Sequence, residues 1–339
     1  MTIVILADVW YTIHSTKYRT VNNFLGDIMV ESFLTVAQQV LVLFILLFLG
    51  FICAKTKLVT EQGSKSIANV VLYFVTPCVI VNAFQREYNS TMLIKLLISA
   101  LCSAGILIFS IIVAELVFRK RDADKGVIFK FATVFSNCGY MSLPLQQAVL
   151  GDDGVFYGAT FVAMFNLFVW TYGLVIMKGK GEKGDKKAVL KILLNPGIIG
   201  TAIGVVLFLC SVELPHLIAQ PVTYMAALNS PLPMLIIGYY LANADLRRAF
   251  SNGWSYVAMA LRLVVLPLVV LFVLLLCGIK GSLLVSLIIA TASPVAAITT
   301  MMSAKFSRDT ELSVSLVSAS TLVSLVTMPL VVGLSQYLS

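Results

Sequence analysis

The sequence predicts an all-α integral membrane protein of ten transmembrane helices, arranged as two five-helix repeats of inverted topology with breaks in the fourth and ninth helices. Three observations predict it. Hydrophobic residues make up 59% of the 339 and charged residues only 12%, with a mean hydropathy of +0.97, which excludes an ordinary soluble domain. Apolar stretches of roughly 20 residues, enough to cross about 30 Å of hydrocarbon, can be drawn ten times between Phe33 and the C-terminus. Polar and helix-breaking residues cluster at matching depth in the fourth and ninth of these stretches.

Ahead of the spans, residues 1–32 read as an external tail of mixed polarity. Its apolar run at 3–7 is too short for the core of a signal peptide, and Met29, next to the first strong span, is an alternative start. Span one is 33–54. Span two, 67–85, carries Pro77 and Asn82; span three, 92–118, has Glu115 near one end and is preceded by the glycosylation sequon Asn89-Ser90-Thr91, too close to the membrane to carry weight. Span four, 127–150, contains FATVFSNCGYMSLPLQQAVL, and span five, 155–177, centres on Asn166. The loop 178–187 is rich in lysine and glycine and divides the spans five and five.

Span six, 188–211, contains Gly200 and Gly204 at GxxxG spacing, which reads as close helix packing. Span seven, 222–243, has Asn229, Pro231 and Pro233, counterparts of Asn82 and Pro77. Span eight, 254–278, holds Arg262, the one basic residue deep in a span. Span nine, 283–304, reads LLVSLIIATASPVAAITTMMSA, and span ten, 312–338, gathers Ser313, Ser320, Thr321 and Ser324 near one face, where small residues let helices approach. The organisation is therefore a tail 1–32, a first repeat 33–177, a cytoplasmic loop 178–187 and a second repeat 188–339. Because five is odd, the second repeat enters the membrane from the opposite side.

The net charge of +8 is not a nucleic-acid signal, because the basic residues sit in short connections. Lys55, Lys57 and Lys65, the cluster from Arg119 to Lys130, the run from Lys178 to Lys191, Arg247 with Arg248, and Lys305 with Arg308 all fall on one side of a ten-span path. By the positive-inside rule that side is cytoplasmic and both termini face out of the cell membrane; nine or eleven spans would scramble the split. The six cysteines show no paired spacing, and His14 and His216 are the only histidines. No metal or other cofactor is expected.

In lipid an unpaired backbone group costs several kcal/mol, so a helix is interrupted only where it lines a protein-buried cavity. Paired interruptions therefore point to a transporter's substrate site. In span four, Ser136, Asn137, Cys138, Gly139 and Pro144 are the candidates: Pro144 and Gly139 are expected to unwind the helix, and the exposed N–H groups of the half-helix would favour an anion. Ser293 and Pro294 repeat the arrangement in span nine, although back-bonded hydroxyls and simple proline kinks would give the same residues. Asn166 either reaches the span-four break or glues helices together. Arg262 either balances a substrate carboxylate or snorkels to the headgroups. No Asp, Glu or His falls near the middle of a span, which disfavours a carboxylate-based cation pump and favours an anionic substrate.

The run SNCGYMSLPLQQAVLGDDGVFYGATFVAMFNLFVWTYG at 136–173 closely resembles the signature region of the auxin efflux carrier family, whose bacterial members include malate and malonate permeases. LYFVTPCVIVNAF, LRLVVLPL and ATASPVAAITTMMSAKF support the match, which covers about 33–338. The resemblance implies that helices four and nine cross at their proline-marked breaks beside a substrate pocket, here at Asn137 with Pro144 and Ser293 with Pro294. It also implies an elevator mechanism, with a scaffold of helices 1, 2, 6 and 7, a moving domain of helices 3–5 and 8–10, and a homodimer joined through the scaffold. The short central loop, and Ser293 where the plant carriers place an asparagine, set this chain apart from plant auxin exporters.

These readings lead to a secondary transporter of small organic anions, malate-like dicarboxylates or auxin-like monocarboxylates, in a lipid bilayer. Coupling to protons or sodium stays open. A channel or a ligand-sensing membrane protein is the alternative; an intramembrane enzyme is disfavoured because no acid, base and nucleophile share a depth.

Overall fold

The computed structural model describes residues 33–120, 124–178 and 194–339. The tail 1–32, nearly all of the loop 178–187 and the start of span six lie outside the described residues. Those described form thirteen helices: α1 (Phe33–Lys55), α2 (Glu61–Ala83), α3 (Ser90–Val117), α4 (Lys125–Val134), α5 (Leu143–Leu150), α6 (Asp152–Lys178), α7 (Pro196–Leu209), α8 (His216–Ala242), α9 (Leu246–Phe250), α10 (Gly253–Leu276), α11 (Gly281–Ala292), α12 (Ile298–Lys305) and α13 (Thr310–Leu338). Among them α1, α2, α3, α6, α8, α10 and α13 are long and apolar enough to cross a membrane, while α7 and α11 are shorter apolar helices. The chain is a multi-pass, all-helical membrane protein.

Helix starts follow local chemistry more than hydropathy. The α2 helix opens at Glu61, ahead of the expected 67, because the Thr60 side chain accepts from the Gly63 N–H at 3.1 Å and Glu61 sits at the positive end of the helix. Asn89 caps α3 by accepting from the Thr91 N–H at 2.8 Å. Its side chain is thus committed to the cap. Asn195 caps α7 in the same way, with Pro196 at the first helical position, where a missing N–H costs nothing.

Three prolines sit at the start of a helical stretch and are each preceded by one π-helical turn: Val71–Val75 before Pro77, Cys138–Ser142 before Pro144, and Leu261–Val265 before Pro267. A proline ring clashes with the carbonyl four residues back and offers it no N–H. Widening the turn by one residue relieves the clash without ending the helix. Proline therefore bulges these helices instead of unwinding them.

Two pairs of helices approach closely through glycine. A Cβ on Gly238 of α8 would stand 2.0 Å from the Leu47 carbonyl oxygen of α1. The GxxxG pair is used inside the chain, Gly200 against Pro77 and Gly204 against the Phe84 ring, so that α7 lies on α2. On the other side of the molecule, Ser99 of α3 donates to the Tyr157 carbonyl of α6 at 3.0 Å. Gln146 of α5 donates to the Ser286 carbonyl of α11 at 2.9 Å, and the Ser286 hydroxyl donates to the Gly154 carbonyl of α6 at 2.8 Å. Outward-facing Leu97, Leu101, Ile112 and Leu116 on α3 and Phe272 and Leu276 on α10 remain exposed, as side chains bathed in lipid would be.

Candidate functional site

Helical hydrogen bonding in the fourth span stops at Val134, and Phe135 turns extended. In the ninth it stops at Ala292, with Ser293 extended. The two stretches run antiparallel: the Asn137 N–H donates to the Pro294 carbonyl at 2.7 Å, and the Ala296 N–H donates to the Phe135 carbonyl at 3.0 Å. Each interruption thus satisfies backbone groups of the other, which is why neither carries the cost of bare peptide groups in an apolar setting. The Val295 N–H is taken by the Ser320 hydroxyl of α13 at 3.1 Å.

This pairing corrects one detail of the sequence reading. The non-helical segment lies at 135–137, before Gly139 and Pro144; Gly139 falls in the π-helical turn and Pro144 in α5. Because Ser136 faces Val295 in an antiparallel pair, Pro294 lies opposite Asn137 and Ala296 opposite Phe135.

Beside the pairing lies a cavity of about 230 Å³. Ser136, Asn137, Cys138 and Gly139 border it from the first interruption, Ala296 and Ala297 from the second, and Asn166 and Asn195 from α6 and the α7 start. Tyr140, Phe165, Trp170, Tyr240, Ile236 and Met301 supply an apolar and aromatic wall. Five of the nine residues singled out by sequence, Ser136, Asn137, Cys138, Gly139 and Asn166, line this space. Pro144, Ser293, Pro294 and Arg262 are not among its lining residues; the Ser293 hydroxyl back-bonds to the Ile289 carbonyl at 2.9 Å.

Three lining residues carry a buried polar atom with no partner: the Ser136 Oγ, the Asn137 Nδ2 and the Trp170 Nε1. Buried polar groups are nearly always satisfied, so three orphans around one cavity need a reason. Each can donate a hydrogen bond, and two can only donate. The Asn137 Oδ1 is already engaged, accepting from the Tyr140 N–H at 3.4 Å. By contrast, Asn166 and Asn195 satisfy each other: the Asn195 amide donates to the Asn166 Oδ1 at 3.0 Å, the Asn166 amide to the Val162 carbonyl at 2.9 Å, and the Gly197 N–H to the Asn195 Oδ1 at 2.9 Å. Asn166 therefore joins α6 to α7.

Arg262 is fully enclosed, and it is the only charged side chain buried among the described residues. It neither snorkels nor reaches the cavity. Its Nη1 donates to the Thr133 and Val134 carbonyls at 3.1 and 3.0 Å, and its Nη2 donates to the Thr291 carbonyl.

Sequence reasoning missed Asn195 and Trp170, and read Ser320 only as a small residue of a packing face. Asn195-Pro196 is a legible cap signature, but hydropathy drew span six across it. Trp170 and Ser320 carried no signal beyond ordinary apolar and small-residue faces.

An all-helical multi-pass protein with a donor-lined cavity beside two paired non-helical segments has the form of a membrane transporter. Comparison with known proteins agrees: the Membrane transport protein family matches residues 35–332, and the chain belongs to this family, that of the auxin efflux carriers. Similar proteins include an uncharacterized transporter of Methanocaldococcus jannaschii, 22% identical over 299 residues, spanning 86% of this chain and 96% of that protein. An uncharacterized transporter of Methanothermobacter thermautotrophicus is 24% identical over 306 residues, spanning 88% and 98%.

Proposed function

We propose that the protein is a secondary transporter of small organic carboxylates that works by elevator-type alternating access. The single observation that carries this reading is the set of unpartnered donors, Ser136 Oγ, Asn137 Nδ2 and Trp170 Nε1, around one cavity. A carboxylate has acceptors and no donors. The positive ends of α12 and of the helix that begins at Cys138 border the same space and favour negative charge. Because the remaining wall is aromatic and aliphatic, a substrate with one carboxylate on an apolar body fits better than a compact dicarboxylate.

In this reading the fourth and ninth helices are crossed broken helices of a ten-helix, 5+5 inverted repeat, 33–177 and 188–339. The scaffold is α1, α2, α7 and α8, the pairs joined through glycine. The elements tied together by Ser99, Gln146 and Ser286 form the moving domain. Both termini face outward, residues 178–187 are cytoplasmic, and the scaffold joins two copies in a cell membrane. A proton or sodium ion as coupling partner is part of the same proposal.

Purified protein in liposomes tests it. Uptake of carboxylates with an apolar body should be saturable, and Asn137→Ala should remove it while the protein stays monodisperse. Normal uptake by Asn137→Ala would take that residue out of the site. Failure to move any carboxylate in a panel moved by a control carrier, or unitary currents in its place, would overturn the transporter reading.

A further inference from the structure

Four helix ends meet at the antiparallel pairing, and their charges nearly cancel. The C-terminal ends of α4 and α11 each present about half a negative charge, and the N-terminal ends of α12 and of the helix after Asn137 about half a positive one. Left alone, such a junction has no preferred sign of ligand. Arg262 lies against one class of end only: two of its contacts go to the last carbonyls of α4, at Thr133 and Val134, and one goes to the Thr291 carbonyl in the last turn of α11.

A buried guanidinium is costly without compensation, and among the described residues no carboxylate is within ion-pair distance of this one. The two negative helix ends supply the compensation, about one unit against one unit. We infer that Arg262 is a positioning residue that neutralises the two negative helix ends behind the pairing, leaving the two positive ends beside Asn137 and Ala297 uncompensated, so that the cavity selects anions. This rests on the proposed site and names the source of its charge preference. Arg262 does so without touching the ligand.

The sign of the field can be read without knowing the substrate. A cysteine at the cavity wall, Ala297→Cys, is treated in the full-length protein in detergent with an anionic sulfonatoethyl and a cationic trimethylammonioethyl methanethiosulfonate. Modification is followed residue by residue by peptide mass spectrometry. The ratio of anionic to cationic rates at position 297 should exceed that at the exposed native Cys210 by about tenfold, the effect of a partly buried helix-end charge. Arg262→Gln should bring the ratio down to that of Cys210, and Arg262→Lys should keep most of the excess. A purely structural role would change both rates together and leave the ratio alone.

If the unsubstituted Arg262 background shows no excess, or neither reagent reaches position 297, the inference falls, whether or not Arg262→Gln folds. An unchanged ratio in folded Arg262→Gln overturns it as well. A ratio that behaves as stated in a protein that carries no carboxylate would uphold the charge assignment and sink the transport reading.

Discussion

Asn195 does two jobs that one substitution can separate. Its oxygen caps α7 and its amide holds the Asn166 oxygen. Asn195→Ala removes both and should lower stability by about 1 kcal/mol, the usual worth of a cap, read as a drop in melting temperature. Asn195→Ser keeps a capping oxygen but frees the Asn166 oxygen, so stability should stay close to wild type while the Michaelis constant for uptake rises. Equal uptake by Asn195→Ser and wild type would mean that the Asn166–Asn195 link is glue and no part of the site. Asn166 itself shows why single polar residues resist assignment from sequence: both readings of it were open, and the Asn195 contact that bears on them comes from a distant segment.

At the scale of the elements, two kinds of irregularity have different causes. The π-helical turns before Pro77, Pro144 and Pro267 are local answers to a missing N–H and a ring clash. The break in helical geometry at 135–137 is not local; it exists because a second non-helical segment satisfies its backbone groups. Helix contacts through glycine give the sharpest element-level prediction. Gly238→Ala puts a methyl into the α1 backbone at Leu47, Gly50 and Phe51, atoms that cannot rotate away, and should cost about 3 kcal/mol or more. Gly105→Ala on α3 meets nothing within 4 Å and should be neutral or stabilising by up to about 1 kcal/mol. Melting curves of the two purified variants check this directly; a Gly238→Ala protein as stable as Gly105→Ala would mean that α1 and α8 are not in this contact.

For the whole molecule, the elevator reading requires α6 to slide past α7. A Cβ placed on Gly197 would lie 3.4 Å from the Val162 side chain, near enough for a disulfide between Val162→Cys and Gly197→Cys. Oxidation of that pair should abolish uptake and reduction should restore it, with either single cysteine variant insensitive. Full uptake with the disulfide formed would exclude relative motion of these two helices as the transport step.

The sequence by itself determined the membrane class and the helical character, because hydropathy and span length are properties of the chain read along its length. It also singled out Asn137 and its neighbours Ser136, Cys138 and Gly139, which border the cavity. Only the tertiary structure decided the register that pairs Ser136 with Val295, the placing of Arg262 on two helix ends, and the entry of Trp170 and Asn195 into the cavity wall. These depend on which residues from distant segments meet. The free energy that settles them, the pairing of buried donors and acceptors across helices, leaves no periodic trace in the order of the amino acids.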